Sequence, residues 1–231
     1  MIRGTLKIVT YPWNKIEPLI HLCLREIFGV SPDYHRAILD YWQKNGIYYY
    51  RPFRDTSMAT ICLLPYRHPS VHHGIYQMKY RNKTSYLPLF GLLIKDFLID
   101  YLSETSQTHH FVDPILLVVP SSRKSIRTRG RHLTYELALH ACKQGLADWV
   151  EYEPALLGLA RTPHKQSRLR SKQARLANPR GAYRIKHPQH VFQRNIILLD
   201  DIYTTGATLD EISKILKQAG VSKITRITIA H

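Results

Sequence analysis

Four apolar residues at positions 196–199 lead directly into two adjacent carboxylates, Asp200 and Asp201. A short, continuous apolar run is typical of a strand that is buried on both faces, as in a parallel sheet. The residues that follow, IYTTGATLDE, predict a turn and then a helix, with Thr208 and Glu211 at the spacing of a capping box. This stretch therefore predicts a buried strand whose carboxyl end carries two acids and a turn into a helix.

The chain after about residue 65 continues this alternation of strands and helices. DPILLVVP is a second short apolar run, and ITRITIA predicts a third strand. SYLPLFGLLIKDFLIDYL has apolar residues at helical spacing, and LTYELALHACKQG predicts a helix that ends near Gly145. The helix after the acidic pair is expected to stop at Gly220. Together these elements predict an α/β fold in which a parallel sheet carries helices on both faces.

We expect two regions in the chain. Residues 65–231 are predicted to form the α/β domain, and residues 1–64 an N-terminal region of unclear fold. That region contains an amphipathic helical pattern, PLIHLCLREIF, and three consecutive tyrosines, Tyr48, Tyr49 and Tyr50. The tyrosines suit a strand or hairpin as readily as an interaction surface.

Basic residues outnumber acidic ones by 33 to 17, and the excess is concentrated in two blocks without acids. Ten Lys or Arg residues lie between Glu153 and Asp200, and five lie between Asp113 and Glu136. Such blocks favour polyanionic partners: nucleic acid, polyphosphate or a phosphorylated small molecule. A solvated basic face that serves solubility is the alternative interpretation.

The cysteine and hydropathy patterns indicate a cytoplasmic protein. Cys23, Cys62 and Cys142 lie far apart and form no CxxC pair, which argues against a disulfide framework and against a structural zinc site. No stretch reaches the ~20 apolar residues that a membrane span needs. The first residues, MIRGTLKIVTYPWNK, show no signal-peptide pattern. We therefore expect no membrane insertion.

The acidic pair and the turn after it predict a binding site for a phosphorylated ribose. Ligands of open α/β sheets bind beyond the carboxyl ends of the strands, and a helix N-terminus offers unpaired N–H groups to a phosphate. Asp200 and Asp201 would repel a phosphate, but they can accept hydrogen bonds from the two neighbouring hydroxyls of a ribose. The candidate phosphate-binding residues are Thr204, Thr205, Gly206, Ala207 and Thr208.

An acidic pair before a glycine-containing turn also occurs in other kinds of protein site. A P-loop requires a lysine that does not follow Gly206 in this sequence. A receiver domain carries its acidic pair at the first strand, whereas too few residues follow Asp201 here to complete that fold. Carboxylates that only cap N–H groups of their own loop are the purely structural alternative.

The stretch IILLDDIYTTGAT resembles the phosphoribosyl-pyrophosphate (PRPP) motif of type I phosphoribosyltransferases, with Tyr203 where that superfamily usually has an aliphatic residue. Three further segments each resemble a segment of the ComF-like competence proteins of this superfamily: YQMKYRNKTSYLPLFGLLI, VVPSSRKSIRTRGRHLTYELA and HKQSRLRSKQARLANPRGAY. They follow one another in the same order as in that family. The four-cysteine zinc module common in that family is absent from residues 1–64, and Cys23 and Cys62 cannot rebuild it.

The resemblance implies that the ligand is PRPP or a relative, accompanied by Mg²⁺ that is bound mainly through ligand oxygens. Asp200 and Asp201 would then be the catalytic carboxylates, because they would hold the ribose diol and offset positive charge on the ring. The implied pyrophosphate contacts follow Pro120 at another strand end and are Ser121, Ser122, Arg123 and Lys124.

Two function classes remain open at this point. The first is a phosphoribosyltransferase that acts on an unidentified nucleophile. The second, which the ComF-like resemblance implies more specifically, is a non-catalytic adaptor of DNA uptake that binds single-stranded DNA and partners a helicase-like motor. The net charge of +16 suits the second class, because each phosphate neutralised by Lys or Arg adds salt-sensitive affinity.

Overall fold

The computed structural model describes residues 49–51, 60–64, 66–67, 69–109, 111–160 and 181–231. In chain order its strands are β1 (Tyr49–Arg51), β2 (Thr60–Leu64), β3 (Ile115–Val118), β4 (Glu151–Tyr152), β5 (Leu157–Leu159), β6 (Tyr183–Ile185), β7 (Asn195–Ile202) and β8 (Lys223–Ala230). Its α-helices are α1 (Pro69–Tyr80), α2 (Leu87–His109), α3 (Arg123–Arg129), α4 (Leu133–Lys143), α5 (Pro188–Val191) and α6 (Ala207–Gln218).

Six strands form the main sheet in the order β1-β2-β8-β7-β3-β4. The pairings from β2 to β4 are all parallel, and only β1 runs antiparallel, at one edge. Strand β7 is central, because β8 and β3 pair with its two sides. The sequence prediction of a parallel α/β sheet is confirmed.

Alternating side chains of β7 point to two separate cores. Ile197 and Leu199 pack on the face covered by α1, α2 and α4, and Ile196 and Leu198 pack on the face covered by α6 and the β5–β6 hairpin. The four residues 196–199 are fully buried, so the apolar run has no polar side to present to water. Helices on both faces, as predicted, explain the uninterrupted apolar character of the strand.

The start of α6 differs from the prediction. The helix begins at Ala207 with Gly206 as its N-cap, so Thr208 lies inside the first turn and cannot cap it. The carboxylate of Glu211 accepts a hydrogen bond from the backbone N–H of Gly181 at 2.6 Å instead of returning to its own helix. The predicted capping box is wrong, because the left-handed backbone of Gly206 lets the helix start earlier than Thr208 requires.

Most of the predicted N-terminal region lies outside the described residues, including the amphipathic pattern PLIHLCLREIF and Tyr48. Tyr49 and Tyr50 belong to β1, which pairs with β2. Strand β2 in turn pairs with β8, so residues 60–64 form part of the main sheet.

Within the described ranges, no helix combines the length and apolarity needed to cross a membrane.

A buried ion pair fixes α6 to the sheet. Arg226, in β8, is 1% exposed and its guanidinium donates to the carboxylate of Asp210 in the first turns of α6. Strand alternation explains this placement, because Ile227 and Ile229 face the opposite core. The pair therefore holds the amino-terminal end of α6 against the strand beside β7.

We expect Asp210→Ala to lower the free energy of unfolding by about 3 kcal/mol, because the change leaves the Arg226 guanidinium buried without this carboxylate. The value is at the low end for a broken buried pair, since Asp210 is 40% exposed. Urea denaturation measures the loss, and Asp148→Ala, at an exposed position, is the matched control. Equal losses in the two variants would contradict a structural role for the pair.

Candidate functional site

Two loops lie side by side at the carboxyl edge of the sheet. Strands β3 and β7 are parallel neighbours, with Val118 opposite Leu199, so the segments that follow them leave the sheet together. The N–H of Val119 continues the pairing by donating to the carbonyl of Leu199 at 2.9 Å. The fold thereby brings both sets of predicted site residues to one edge, as expected for ligand sites of this architecture.

The acidic pair forms the end of β7, and both carboxylates contact groups of the chain itself. Asp200 Oδ1 accepts a hydrogen bond from the backbone N–H of Asp201 at 2.8 Å. Asp201 Oδ2 lies 2.8 Å from Nζ of Lys79, which comes from the last turn of α1. The side chains of Lys79 and Asp201 are only 14% and 18% exposed, so this is a largely buried ion pair.

Burial and the neighbouring charge raise the pKa of Asp200. Removal from water disfavours the carboxylate most, the charge of Asp201 adds to the effect, and together they raise the pKa to about 7. The hydrogen bond from the Asp201 N–H and the charge of Lys79 act in the opposite direction. Asp200 therefore keeps its proton to a higher pH than an ordinary aspartate does.

The turn after the acidic pair closes over a tyrosine. Gly206 has φ +77°, and a Cβ at that position would lie 2.3 Å from the hydroxyl oxygen of Tyr203. Tyr203 is buried beneath the turn, and its backbone N–H donates to the carbonyl of Ala230 at 2.8 Å. The position that departs from the PRPP motif thus packs below the turn and not on its outer side.

A small polar cavity of about 40 Å³ lies within this turn. Asp200 lines it together with the five predicted phosphate-binding residues, Thr204, Thr205, Gly206, Ala207 and Thr208. The volume corresponds to roughly three water positions. The cavity therefore joins a carboxylate to the N-terminus of α6 within one small space.

The strand after the basic segment also reaches this site. The hydrogen bond from Gly181 to Glu211 ties it to α6. Burial raises the pKa of Tyr183, and a hydrogen bond with Thr208 acts in the opposite direction. The charge of Asp200 further raises the pKa of Tyr183. The Gly181–Tyr183 end of the segment that resembles ComF-like proteins is therefore adjacent to the turn.

The residues implied as pyrophosphate contacts lie in the loop after β3 and the start of α3. Ser121 lines a mostly apolar cavity of about 510 Å³ between that loop, α4 and the β5–β6 hairpin. Ser122 is the N-cap of α3, and its hydroxyl accepts from the N–H of Ser125 at 3.1 Å. Arg123 and Lys124 are the first two residues of that helix. Their role in binding stays a prediction.

The described residues do not fit a magnesium ion that is bound directly by the protein. The ammonium of Lys79 already contacts Asp201, and burial favours the protonated form of Asp200. Across the ranges that the structure describes, no three His, Cys, Asp or Glu side chains are grouped so as to hold a metal. A magnesium ion bound through the oxygens of a phosphorylated ligand would not require such a group of side chains.

The contact between Lys79 and Asp201 cannot be predicted from the sequence pattern. Lys79 lies within YQMKYRNKTSYLPLFGLLI, a segment that carries part of the ComF-like resemblance, and nothing in its spacing connects it to Asp201. The contact depends on how α1 packs on the sheet, which a single sequence does not reveal. The one local signal is an acid-free run of basic residues before the first long helix.

No protein-family model and no curated protein matches the chain. Among solved structures, it is similar to the allosteric regulatory enzyme of purine biosynthesis, with 17% identity and a TM-score of 0.32, over 56% of this chain and 24% of that one. It is also similar to glutamine PRPP amidotransferase from B. subtilis, with 17% identity and a TM-score of 0.34, over 55% and 24%. The chain thus spans about a quarter of the length of these two enzymes.

A third similar structure is hypoxanthine phosphoribosyl transferase from Trypanosoma cruzi. Its identity to this chain is 10% and its TM-score is 0.38, over 62% of this chain and 63% of that one.

We expect Gly206→Ala to destabilise the protein more than Gly130→Ala does. Both glycines have positive φ, +77° and +71°, which costs an alanine about 1–2 kcal/mol. Only at Gly206 does the new Cβ also collide with Tyr203, which adds about 1–3 kcal/mol. Urea denaturation gives both values, and Tyr203→Val should remove the extra cost in a double-mutant cycle. Additive effects of the two changes would rule out the close contact.

We expect the stability of the wild-type protein to fall, relative to Asp200→Asn, as the pH rises from 5 to 8. The folded pKa of this carboxyl, about 7, lies above its unfolded value. Its stabilising contribution is therefore complete below the unfolded pKa and is lost progressively as the pH rises from there to about 7. The relative loss should be on the order of 2 kcal/mol. Denaturation at both pH values measures it, with Asp148→Asn as control. A constant difference between variant and wild type would show that Asp200 does not titrate in this range.

Proposed function

We propose that the chain binds PRPP, or a related phosphorylated ribose, at the carboxyl end of β7. One observation carries the proposal: Asp200 and the turn of residues 204–208 line the same cavity. The carboxylate is an acceptor for sugar hydroxyls, and the turn offers the N–H groups of a helix N-terminus to a phosphate. The phosphate of a ribose 5-phosphate therefore matches the turn, and its diol matches the carboxylate beside the turn.

Charge at this site favours a ligand with a neutral diol beside an anionic group. The pair Asp200 and Asp201 repels anions, whereas the first turn of α6 attracts them. In a transfer reaction, positive charge would develop on the ribose ring, and the acidic pair next to the diol would stabilise it. The proposed pyrophosphate contacts, Ser121 to Lys124, follow the neighbouring strand β3 at the same edge of the sheet.

We propose further that the activity, if the ligand is turned over, is phosphoribosyl transfer of the type suggested by the PRPP motif. The nucleophile would attack C1 of the ribose while the bond from C1 to pyrophosphate breaks. The alternative is a ComF-like adaptor in which the same site binds the ligand without turnover. Its support is the net charge of +16 and the acid-free basic blocks, which suit single-stranded DNA and a motor that moves it.

We expect PRPP and ribose 5-phosphate to raise the melting temperature of the wild-type protein. A ligand at a hundred times its Kd adds about 2.7 kcal/mol, or roughly 5 °C or more for a domain of this size. The double change Asp200→Asn with Asp201→Asn should abolish the rise, because both acceptors of the diol lose their charge. Differential scanning fluorimetry measures the shift.

The matched control is Asp113→Asn with Asp148→Asn, which removes the same charge away from the carboxyl end of β7 and should leave the shift intact. An unchanged shift in the Asp200 and Asp201 variant would refute the assignment of the diol. Pyrophosphate release from PRPP across a panel of nucleophiles then separates the two function classes. Release identifies a transferase, and ligand binding without release identifies an adaptor.

A further inference from the structure

The acidic pair is held by a cation that comes from a distant part of the chain. Nζ of Lys79 lies 2.8 Å from Oδ2 of Asp201, and both side chains are mostly shielded from water. Lys79 belongs to α1, whereas Asp201 belongs to β7. A largely buried ion pair is costly to assemble, and its worth for stability alone is small or even negative. Asp201 is the chain neighbour of Asp200, which lines the cavity of the proposed ligand site, and this position suggests a role in selecting what the carboxylates bind.

Two adjacent carboxylates at the edge of an α/β sheet are otherwise suited to a divalent cation. Hard cations such as Mg²⁺ bind oxygen ligands, and one or two carboxylates suffice when a phosphate supplies further oxygens. The ammonium of Lys79 carries a single charge and lies where it contacts Asp201 directly. A divalent ion at the same oxygen would meet strong repulsion from that ammonium at this distance.

We propose that Lys79 is the specificity-determining residue of this site: it reserves Asp201 for sugar hydroxyls and keeps divalent cations off the acidic pair. The ammonium neutralises part of the charge that would attract a metal, and it fixes the carboxylate so that its remaining lone pairs can accept O–H groups. The proposal rests on the proposed function only where it names sugar hydroxyls as the groups bound. The exclusion of metal follows from the ion pair itself.

Mn²⁺ binding followed by electron paramagnetic resonance tests the exclusion without any sugar. We expect Lys79→Met to bind Mn²⁺ at least tenfold more tightly than the wild-type protein, and Asp201→Asn in the Lys79→Met background to abolish the gain. Lys79→Arg should behave like the wild type, because it keeps the positive charge. Lys83→Met, which removes an exposed cation just beyond α1, is the matched control and should bind Mn²⁺ as the wild type does.

Ribose 5-phosphate binding in EDTA tests the second half of the proposal. We expect Lys79→Met to weaken it at least fivefold, and Lys79→Arg and Lys83→Met to leave it within twofold. If Lys79→Met does not melt cooperatively, Lys79→Gln is measured in its place. Equal Mn²⁺ affinities of the wild type and a folded Lys79 variant would overturn the proposal. Failure of the wild type to bind ribose 5-phosphate would overturn the proposed function instead, and the Mn²⁺ result would still stand on its own.

Discussion

Two carboxylates next to each other at a largely buried strand end repel one another, and the groups around them reduce that repulsion. Asp201 is neutralised by Lys79, and Asp200 accepts the N–H of its neighbour and has a raised pKa. A fold gains no stability from such a pair, because each buried charge must first lose its hydration. The pair is therefore the reason to place the proposed function at the carboxyl end of β7.

The central position of β7 gives this edge of the sheet its rigidity. Neighbouring strands pair with both of its sides and two cores cover its faces, so its carboxyl end has little freedom to shift. The Arg226–Asp210 pair fixes α6, and the packing of Gly206 on Tyr203 fixes the turn between strand and helix. A site held on such elements keeps its donors in place before a ligand arrives, which lowers the entropic cost of binding.

The sequence predicted the parts of the molecule that depend on periodicity. The apolar run 196–199, the helical spacing in α2 and the glycine after α6 each reflect a local rule, and the structure confirms the elements they predicted. The capping box failed because Thr208 and Glu211 have the right spacing but both lie inside the helix, which already begins at Ala207. Glu211 instead binds Gly181, and Lys79 binds Asp201, and both contacts are set by tertiary packing that spacing cannot encode.

The site therefore brings opposite electrostatic preferences into one small volume. The first turn of α6 favours an anion, while the acidic pair at the end of β7 favours hydrogen-bond donors and, without Lys79, would favour metal ions. A phosphate alone would satisfy only the turn, and a sugar alone would satisfy only the acids. In the proposed function, a molecule that carries both groups a few bonds apart satisfies the two halves together. In the role proposed for Lys79, the lysine removes the competitor that could satisfy the acidic half by itself. The proposed ligand therefore rests on the arrangement of charge more than on any single residue.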